Sequence, residues 1–147
     1  MRIIKNCWKT TMEDVNEHLK SGLIKVDGLR KDNDQVYFHC KDGYTVLMYH
    51  EQDCCENVYL ENVESEDTGE DIYTNCDWCN IEEISNEEFD QVQVGTRLSE
   101  WDDSFTWTFY KIRTNKGYDT LRWYGASNGY YSERVDFAIL CQNDTLN

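Results

Sequence analysis

The C-terminal third of the chain contains the stretch FTWTFYKIRTNKGYDTLRWYG (residues 105–125). Aromatic and β-branched residues are frequent in two runs within it, Phe105–Arg113 and Tyr118–Gly125, and such runs are typical of strands. Asn115-Lys116-Gly117 separates the two runs and has the composition of a turn. The stretch therefore predicts two antiparallel strands joined by a short turn.

Further strands are predicted on both sides of this pair. Downstream, Glu133–Leu140 follows a second turn, Ser127-Asn128-Gly129. In that run Val135, Phe137 and Ile139 alternate with other residues, which places one face of the strand in the core. Upstream, the predicted strands are Leu23–Val26, Val36–Cys40 and Tyr44–Tyr49.

One helix is predicted near the N-terminus. Threonines at positions 10 and 11 offer a cap, acids follow in the first turn, and Met12, Val15 and Leu19 fall on one helical face. Residues 61–71 are interpreted as a loop and residues 72–80 as a second short helix, whereas residues 81–89 favour neither state. The expected fold class is α+β. We expect a single domain over residues 1–147, with a mainly antiparallel sheet of six or more strands and one or two short helices.

The net charge of −15 is concentrated in the middle third of the chain. Residues 51–103 carry 18 acids and one base, Arg97, whereas the segments on either side each have a net charge of +1. A field of this sign repels nucleic-acid phosphates and attracts basic protein surfaces, so we expect no direct nucleic-acid binding. No run approaches the ~20 apolar residues of a membrane helix. Residues 1–7 lack the apolar run of a signal peptide, which predicts a cytoplasmic protein.

The acidic middle of the chain contains the first candidate site. Its charge density approaches that of a nucleic-acid backbone, and two tryptophans offer the kind of anchor that is enriched in interface hot spots. The simpler interpretation is a solvated face that keeps the protein soluble. The predicted partner-binding residues are Glu64, Glu66, Asp67, Glu70, Asp71, Asp77, Trp78 and Trp101.

The aromatic block near the C-terminus is a second candidate site. Aromatic faces beside arginines can stack on a nucleotide and clamp it. Cross-strand aromatic packing around a hairpin accounts for the same pattern. The residues of this alternative ligand site are Arg122, Trp123, Tyr124, Asn128, Tyr130, Tyr131 and Arg134.

Seven cysteines raise the question of a metal site. The pair Cys76 and Cys79, together with His50 and Cys54, supplies four ligands of the types that zinc binds. A typical structural zinc site has two Cys-x-x-Cys motifs, and this chain has one. The simpler explanation is that the cysteines are small buried side chains. We therefore expect no cofactor and keep zinc as an alternative. The acids around the thiols would raise their pKa, so a nucleophilic cysteine is not expected and the protein is predicted not to be an enzyme.

Several motifs resemble an uncharacterised family of small proteins from tailed phages and bacteria, a domain of unknown function. The first block is MYHEQDCCE (residues 48–56), and the second combines WTFYK (107–111), KGY (116–118), RWYG (122–125), SNGYYSE (127–133) and VDF (135–137). The resemblance covers about residues 23–137 and implies a phage-type origin without an assigned activity. Between Glu64 and Phe89 the chain departs from the family, so we interpret residues 61–103 as an acidic variable insertion.

These observations lead to one main functional hypothesis and two alternatives. The main hypothesis is a non-enzymatic phage accessory protein that binds and inhibits a host protein with a basic surface, through an acidic surface that mimics DNA. Such a protein would be of the anti-defence or anti-restriction type and would act in the host cytoplasm. The alternatives are a nucleotide-binding or nucleotide-sequestering protein and a zinc-stapled structural module. The oligomeric state is left open.

Overall fold

A computed structural model of the protein describes residues 7–50, 56–63, 71–89, 104–127 and 134–140. These residues form one helix, α1 (Met12–Leu19), and nine strands. The strands are β1 (Cys7–Lys9), β2 (Leu23–Asp27), β3 (Gln35–Cys40), β4 (Thr45–Tyr49), β5 (Glu56–Val63), β6 (Cys79–Phe89), β7 (Ser104–Thr114), β8 (Gly117–Ser127) and β9 (Asp136–Leu140).

The nine strands form two antiparallel sheets. Sheet A has five strands in the order β1-β9-β4-β3-β2, and sheet B has four in the order β5-β8-β7-β6. In sheet B, β7 and β8 pair along their whole length, from Ser104 opposite Ser127 to Thr114 opposite Gly117. This confirms the strand pair predicted from residues 105–125 and the mainly antiparallel architecture.

One core joins both sheets and the helix. Phe38 and Met48 of sheet A, Ile112 and Trp123 of sheet B, and Leu19 of α1 belong to the same cluster of buried side chains. Burying each large apolar side chain contributes about 1.5–3 kcal/mol to stability, so a shared cluster holds the three layers together. The described residues thus form one compact domain.

Helix α1 lies where the sequence predicts it. The Thr11 side chain accepts a hydrogen bond from the Asp14 backbone at 3.2 Å, and Val15 and Leu19 are fully buried. In the described part of the chain, no helix is long and apolar enough to cross a membrane.

Residues 72–80 do not form the predicted second helix. The backbone of Cys76 instead exchanges two hydrogen bonds with Leu23, at 2.9 and 3.1 Å, and β6 begins at Cys79. The helix prediction was wrong because this segment finds its backbone partners in a neighbouring strand, which the local sequence does not reveal. Residues 81–89, which favoured neither state, belong to β6.

Strand β9 does not form a hairpin with β8. It lies in sheet A between β1 and β4, so the expected pairing across Ser127–Gly129 is not made. The alternation is confirmed, because Phe137 and Ile139 point into the main core. Ala138 and Leu140 on the opposite face are also buried, and a strand buried on both faces belongs inside a sheet.

Both edge strands of sheet B receive hydrogen bonds from neighbouring segments. On β5, the Asp32 backbone N–H donates to the Leu60 carbonyl and the Leu60 N–H donates to the Asn33 carbonyl, both at 2.7 Å. On β6, the Asn16 side chain donates to the Ile81 carbonyl at 2.9 Å and accepts from the Ile81 N–H at 2.8 Å. Such contacts cover backbone groups that would otherwise be open to another strand.

Candidate partner-binding surface

The exposed face of α1 is acidic and lies beside the start of β6. Val15 and Leu19 are buried, whereas Glu13 and Glu17, one helical turn apart, are exposed. Asn16 stands between the two acids and fixes the helix to β6 through its two hydrogen bonds to Ile81. The packing of α1 therefore holds two carboxylates next to the edge of sheet B.

Residues 71–78 form a turn that is held by hydrogen bonds and leads into β6. Hydrogen bonds from the Thr74 side chain and from the backbone of Tyr73 and Thr74 hold the pKa of the Asp71 carboxyl below its usual value. The Tyr73 hydroxyl donates to the Asp119 carboxylate at 2.5 Å, and Asp119 is only 1% exposed. This buried bond ties the turn to β8.

Replacing Tyr73 with phenylalanine is expected to lower the free energy of unfolding by about 1–3 kcal/mol, because the buried Asp119 carboxylate would lose its hydroxyl donor. Urea denaturation followed by tryptophan fluorescence measures the change. Tyr118→Phe is the matched control, since Tyr118 is 60% exposed, and it should leave the midpoint in place. Equal midpoints for the two variants would show that the bond is unimportant.

Close backbone contacts fix the end of this turn. Gly22 has a φ of +106°, and a Cβ at this position would come within 2.3 Å of the Cys76 carbonyl oxygen, so the approach requires glycine. The Asn115 side chain accepts a hydrogen bond from the Asp77 backbone at 2.8 Å and donates to the Asp77 carboxylate at 3.3 Å. These contacts hold the chain directly before Trp78.

Trp78 stands in a surface cleft between α1 and the start of β6. Its side chain is 43% exposed, which is unusual for so large an apolar group. The cleft has a volume of about 390 Å³. Its lining residues are Glu13, Asn16, Glu17, Lys20, Trp78, Cys79 and Asn80.

The cleft combines an aromatic group with an acidic rim. Glu13, Glu17 and Lys20 line it, so the acids outnumber the bases, and the side chain of Asp77, next to Trp78, is 78% exposed. Lys41 approaches Asp77 at 3.9 Å, but an exposed pair at this distance contributes little and leaves the carboxylate accessible. A lysine or arginine side chain is attracted both by carboxylates and by an indole face. The arrangement therefore favours a basic ligand.

Three of the predicted partner-binding residues lie in the described part of the chain. Trp78 lines the cleft and Asp77 directly precedes it in the chain, whereas the Asp71 carboxylate accepts hydrogen bonds within the turn. The other predicted partner-binding residues, Glu64, Glu66, Asp67, Glu70 and Trp101, lie outside the described residues.

The predicted ligand-site residues on β8 point in different directions. Trp123 is 1% exposed and belongs to the main core, whereas Tyr124 packs with Tyr59 and Trp107 in a separate small cluster. The Arg122 guanidinium forms an ion pair with Glu61 and lies 4.2 Å from the centre of the Trp107 ring. These three side chains therefore pack within the protein. Arg134 is exposed, and Asn128, Tyr130 and Tyr131 lie outside the described residues.

The predicted zinc ligands are not brought together in the described residues. Leu23 pairs with both Cys40 and Cys76, which places Cys76 at the end of sheet A where β4 begins. His50 follows the opposite end of β4, roughly 16 Å along the strand, and its Nδ1 donates to the Arg134 carbonyl at 2.7 Å. Cys54 lies outside the described residues. Among those described, no group of three or more His, Cys, Asp or Glu side chains is arranged to hold a metal ion.

The thiols of Cys40, Cys76 and Cys79 are buried and protonated. Burial raises the pKa of Cys40 to about 12, and it also raises the pKa of Cys79, which lies near Cys40 and Cys76. The Cys76 thiol donates to the Ile72 carbonyl at 2.8 Å. These contacts agree with the simpler interpretation of small buried side chains.

The sequence did not single out the α1 side of the cleft. Glu13 was interpreted only as an acid of the first helical turn, and Asn16, Glu17, Lys20 and Asn80 were not identified. The spacing of Glu13 and Glu17 does predict a shared outer helix face. Nothing local predicts that this face stands beside Trp78, because the contact joins positions more than 60 residues apart.

The fold and the cleft define a class of protein, a small two-sheet antiparallel domain with an acidic, tryptophan-containing surface. The sequence matches a domain of unknown function, DUF7448, over residues 7–137, and the chain belongs to this family. The resemblance to an uncharacterised family is thereby confirmed. No curated protein and no solved structure matches the chain.

Proposed function

We propose that this protein is a non-enzymatic binding protein that inhibits a partner through the acidic cleft between α1 and β6. The partner is a host protein with a basic, nucleic-acid-binding surface, such as a defence nuclease. In this proposal the protein is a bacteriophage accessory protein that acts in the host cytoplasm. The main observation in support is that Trp78 is 43% exposed in a cleft lined by Glu13 and Glu17.

The energetics of such a complex follow from these side chains. Tryptophan is among the residues that most often dominate binding energy, because its large surface is desolvated on contact. The surrounding carboxylates and the net charge of −15 would accelerate the approach of a basic partner. Binding should therefore weaken as the salt concentration rises.

The nucleotide-binding alternative has less support from the described residues. A stacking and clamping site needs aromatic faces and a guanidinium that are accessible to the ligand. Trp123 is buried in the core, and Arg122 is engaged by Glu61 and Trp107. The acidic cleft is therefore the better candidate.

The proposal is tested first by capture and then by substitution. The tagged protein is incubated with lysate of a bacterial host at low and high salt, and bound proteins are identified by mass spectrometry. The expected result is a near-stoichiometric nucleic-acid-binding protein that is released by salt. The captured protein is then purified, and its activity on nucleic acid is measured with and without the inhibitor.

Trp78→Ala is expected to weaken binding to this partner by at least ~30-fold, which corresponds to about 2 kcal/mol for a hot-spot side chain. The double variant Glu13→Gln/Glu17→Gln should slow association and reduce its salt dependence. Asp32→Asn/Asp34→Asn is the matched control, because it removes the same charge from exposed positions outside the cleft, and asparagine tolerates the positive φ of residue 32. Wild-type affinity in Trp78→Ala would refute the cleft as the binding site.

A further inference from the structure

We propose that the partner adds an extended, basic segment to the outer edge of β6, so that sheet B gains a fifth strand from Glu83 onward while the segment continues past Asn16 to Trp78. This inference rests on the proposed function and adds to it the mode of binding and the chemistry of the bound segment. Strand addition supplies affinity through backbone hydrogen bonds and specificity through alternate side chains.

The hydrogen bonds of Asn16 reveal which way the backbone of β6 faces. Among the described strands, β6 pairs with β7 alone and lies at the edge of sheet B. Because both the N–H and the C=O of Ile81 bond to Asn16, they point away from β7. Backbone groups of alternate residues in a strand point the same way, so Glu83 carries the next outward pair. The Asn16 amide thus occupies one position of an edge that continues past it.

Within the described part of the chain, no neighbouring segment covers the outward edge after Ile81. Among the described residues, none forms a hydrogen bond with the outward backbone groups of Glu83, and the next side chain, Ile84, is 51% exposed. Residue 84 also coincides with a register shift between β6 and β7. A segment docked here would cover an exposed apolar side chain in addition to the unpaired backbone groups.

The charges around this edge select a basic segment. Glu82 and Glu83 are exposed on β6, where Glu82 pairs with Arg113 at 3.5 Å and Glu83 accepts a hydrogen bond from the Tyr110 hydroxyl at 3.3 Å. Glu13 and Glu17 of α1 add negative charge at the start of the same edge. A strand with lysine or arginine at alternate positions would place positive charges next to these carboxylates, and Trp78 offers an indole face to one of them. A second copy of this chain is disfavoured, because each copy carries a net charge of −15.

The edge is tested with a synthetic probe, a fluorescent peptide that alternates lysine with valine, and a glutamate–valine peptide serves as the charge control. Glu83→Pro removes the outward N–H, which is not bonded to β7, and proline is tolerated on edge strands. Glu83→Ala removes the same charge but keeps the N–H, so the two variants isolate the backbone contribution. Circular dichroism and thermal unfolding establish that both variants fold.

We expect Glu83→Pro to bind the lysine–valine peptide about tenfold more weakly than Glu83→Ala, since a lost backbone hydrogen bond and the bulk of the proline ring both oppose docking. In the wild-type protein, the peptide should slow hydrogen exchange at the Glu83 amide. This second readout does not depend on the folding of the proline variant.

The outcomes separate this inference from the proposed function. If Trp78→Ala abolishes peptide binding while Glu83→Pro equals Glu83→Ala and the Glu83 amide stays unprotected, the cleft binds basic segments but strand addition is overturned. If the lysine–valine and glutamate–valine peptides bind alike and Trp78→Ala has no effect, both ideas fail.

Discussion

The free energy of unfolding is expected to fall steeply as the pH rises above about 9. Burial raises the pKa values of six described side chains, and the increase is large at four of them, Cys40, Cys79, Tyr73 and Tyr110, whose ordinary values are 9.0 for the thiol and 10.0 for the phenol. In the folded state these groups stay protonated, whereas in the unfolded state they ionise. The unfolded state then binds fewer protons, so its stability relative to the native state increases with pH.

The expected effect is large. Each group contributes about 1.4 kcal/mol of lost stability per pH unit above its ordinary pKa, until the raised native pKa is reached. At pH 11 the four groups together amount to on the order of 8 kcal/mol, which is comparable to the whole stability of a typical domain. Below pH 9 the contribution of these groups is fully present and constant.

Urea denaturation at a series of pH values between about 8 and 11 measures this dependence. The double variant Cys40→Ala/Cys79→Ala should show a smaller slope between about pH 9 and 10, where the thiols ionise first in the unfolded chain. Slopes are compared rather than absolute stabilities, because the substitutions also leave small cavities in the core. Equal slopes for the wild type and the variant would mean that these thiols ionise in the native protein.

Trp123→Ala is expected to lower the free energy of unfolding by about 3–5 kcal/mol, the range for removing a large aromatic side chain from a core. Trp123 is 1% exposed and lies in the core cluster that contains residues of both sheets. Its strand partners are Thr108 on β7 and Leu60 on β5. The substitution would therefore leave a cavity at the centre of sheet B.

Thermal and urea unfolding measure this loss, and Tyr118→Ala is the control on the same strand. Tyr118 is 60% exposed, and its ring centre lies 4.5 Å from the Lys111 ammonium, so its truncation should lower stability by about 1 kcal/mol, well below the loss at Trp123. Similar losses for the two variants would contradict the core position of Trp123. The comparison also tests the ligand-binding alternative, because a side chain that is buried in the core cannot stack on a nucleotide.

The candidate site was predicted in part. Asp77 was identified from charge and Trp78 from the enrichment of tryptophan in interface hot spots, and Trp78 lines the cleft with Asp77 directly before it in the chain. The α1 residues that complete it were missed, because a hydrophobic pattern shows which helix face is outward but not what stands beside that face. The ligand-site hypothesis grouped residues that are close in sequence, and the zinc-site hypothesis grouped residues of the types that bind zinc. Backbone alternation sends Trp123 and Tyr124 to opposite faces, and the length of β4 separates His50 from Cys76.

Local sequence patterns predict the helix over residues 12–19, six of the nine described strands approximately, and the hairpin between β7 and β8. These features depend on alternation, helical periodicity and turn residues, which act over a few neighbouring positions. The folded chain was needed to show that β9 joins sheet A, that residues 71–78 form a turn, and that Trp78 stands next to α1. Each of these features depends on pairing or packing between segments that are distant in the sequence. The backbone hydrogen bonds and the apolar contacts are made with residues that the local sequence cannot predict.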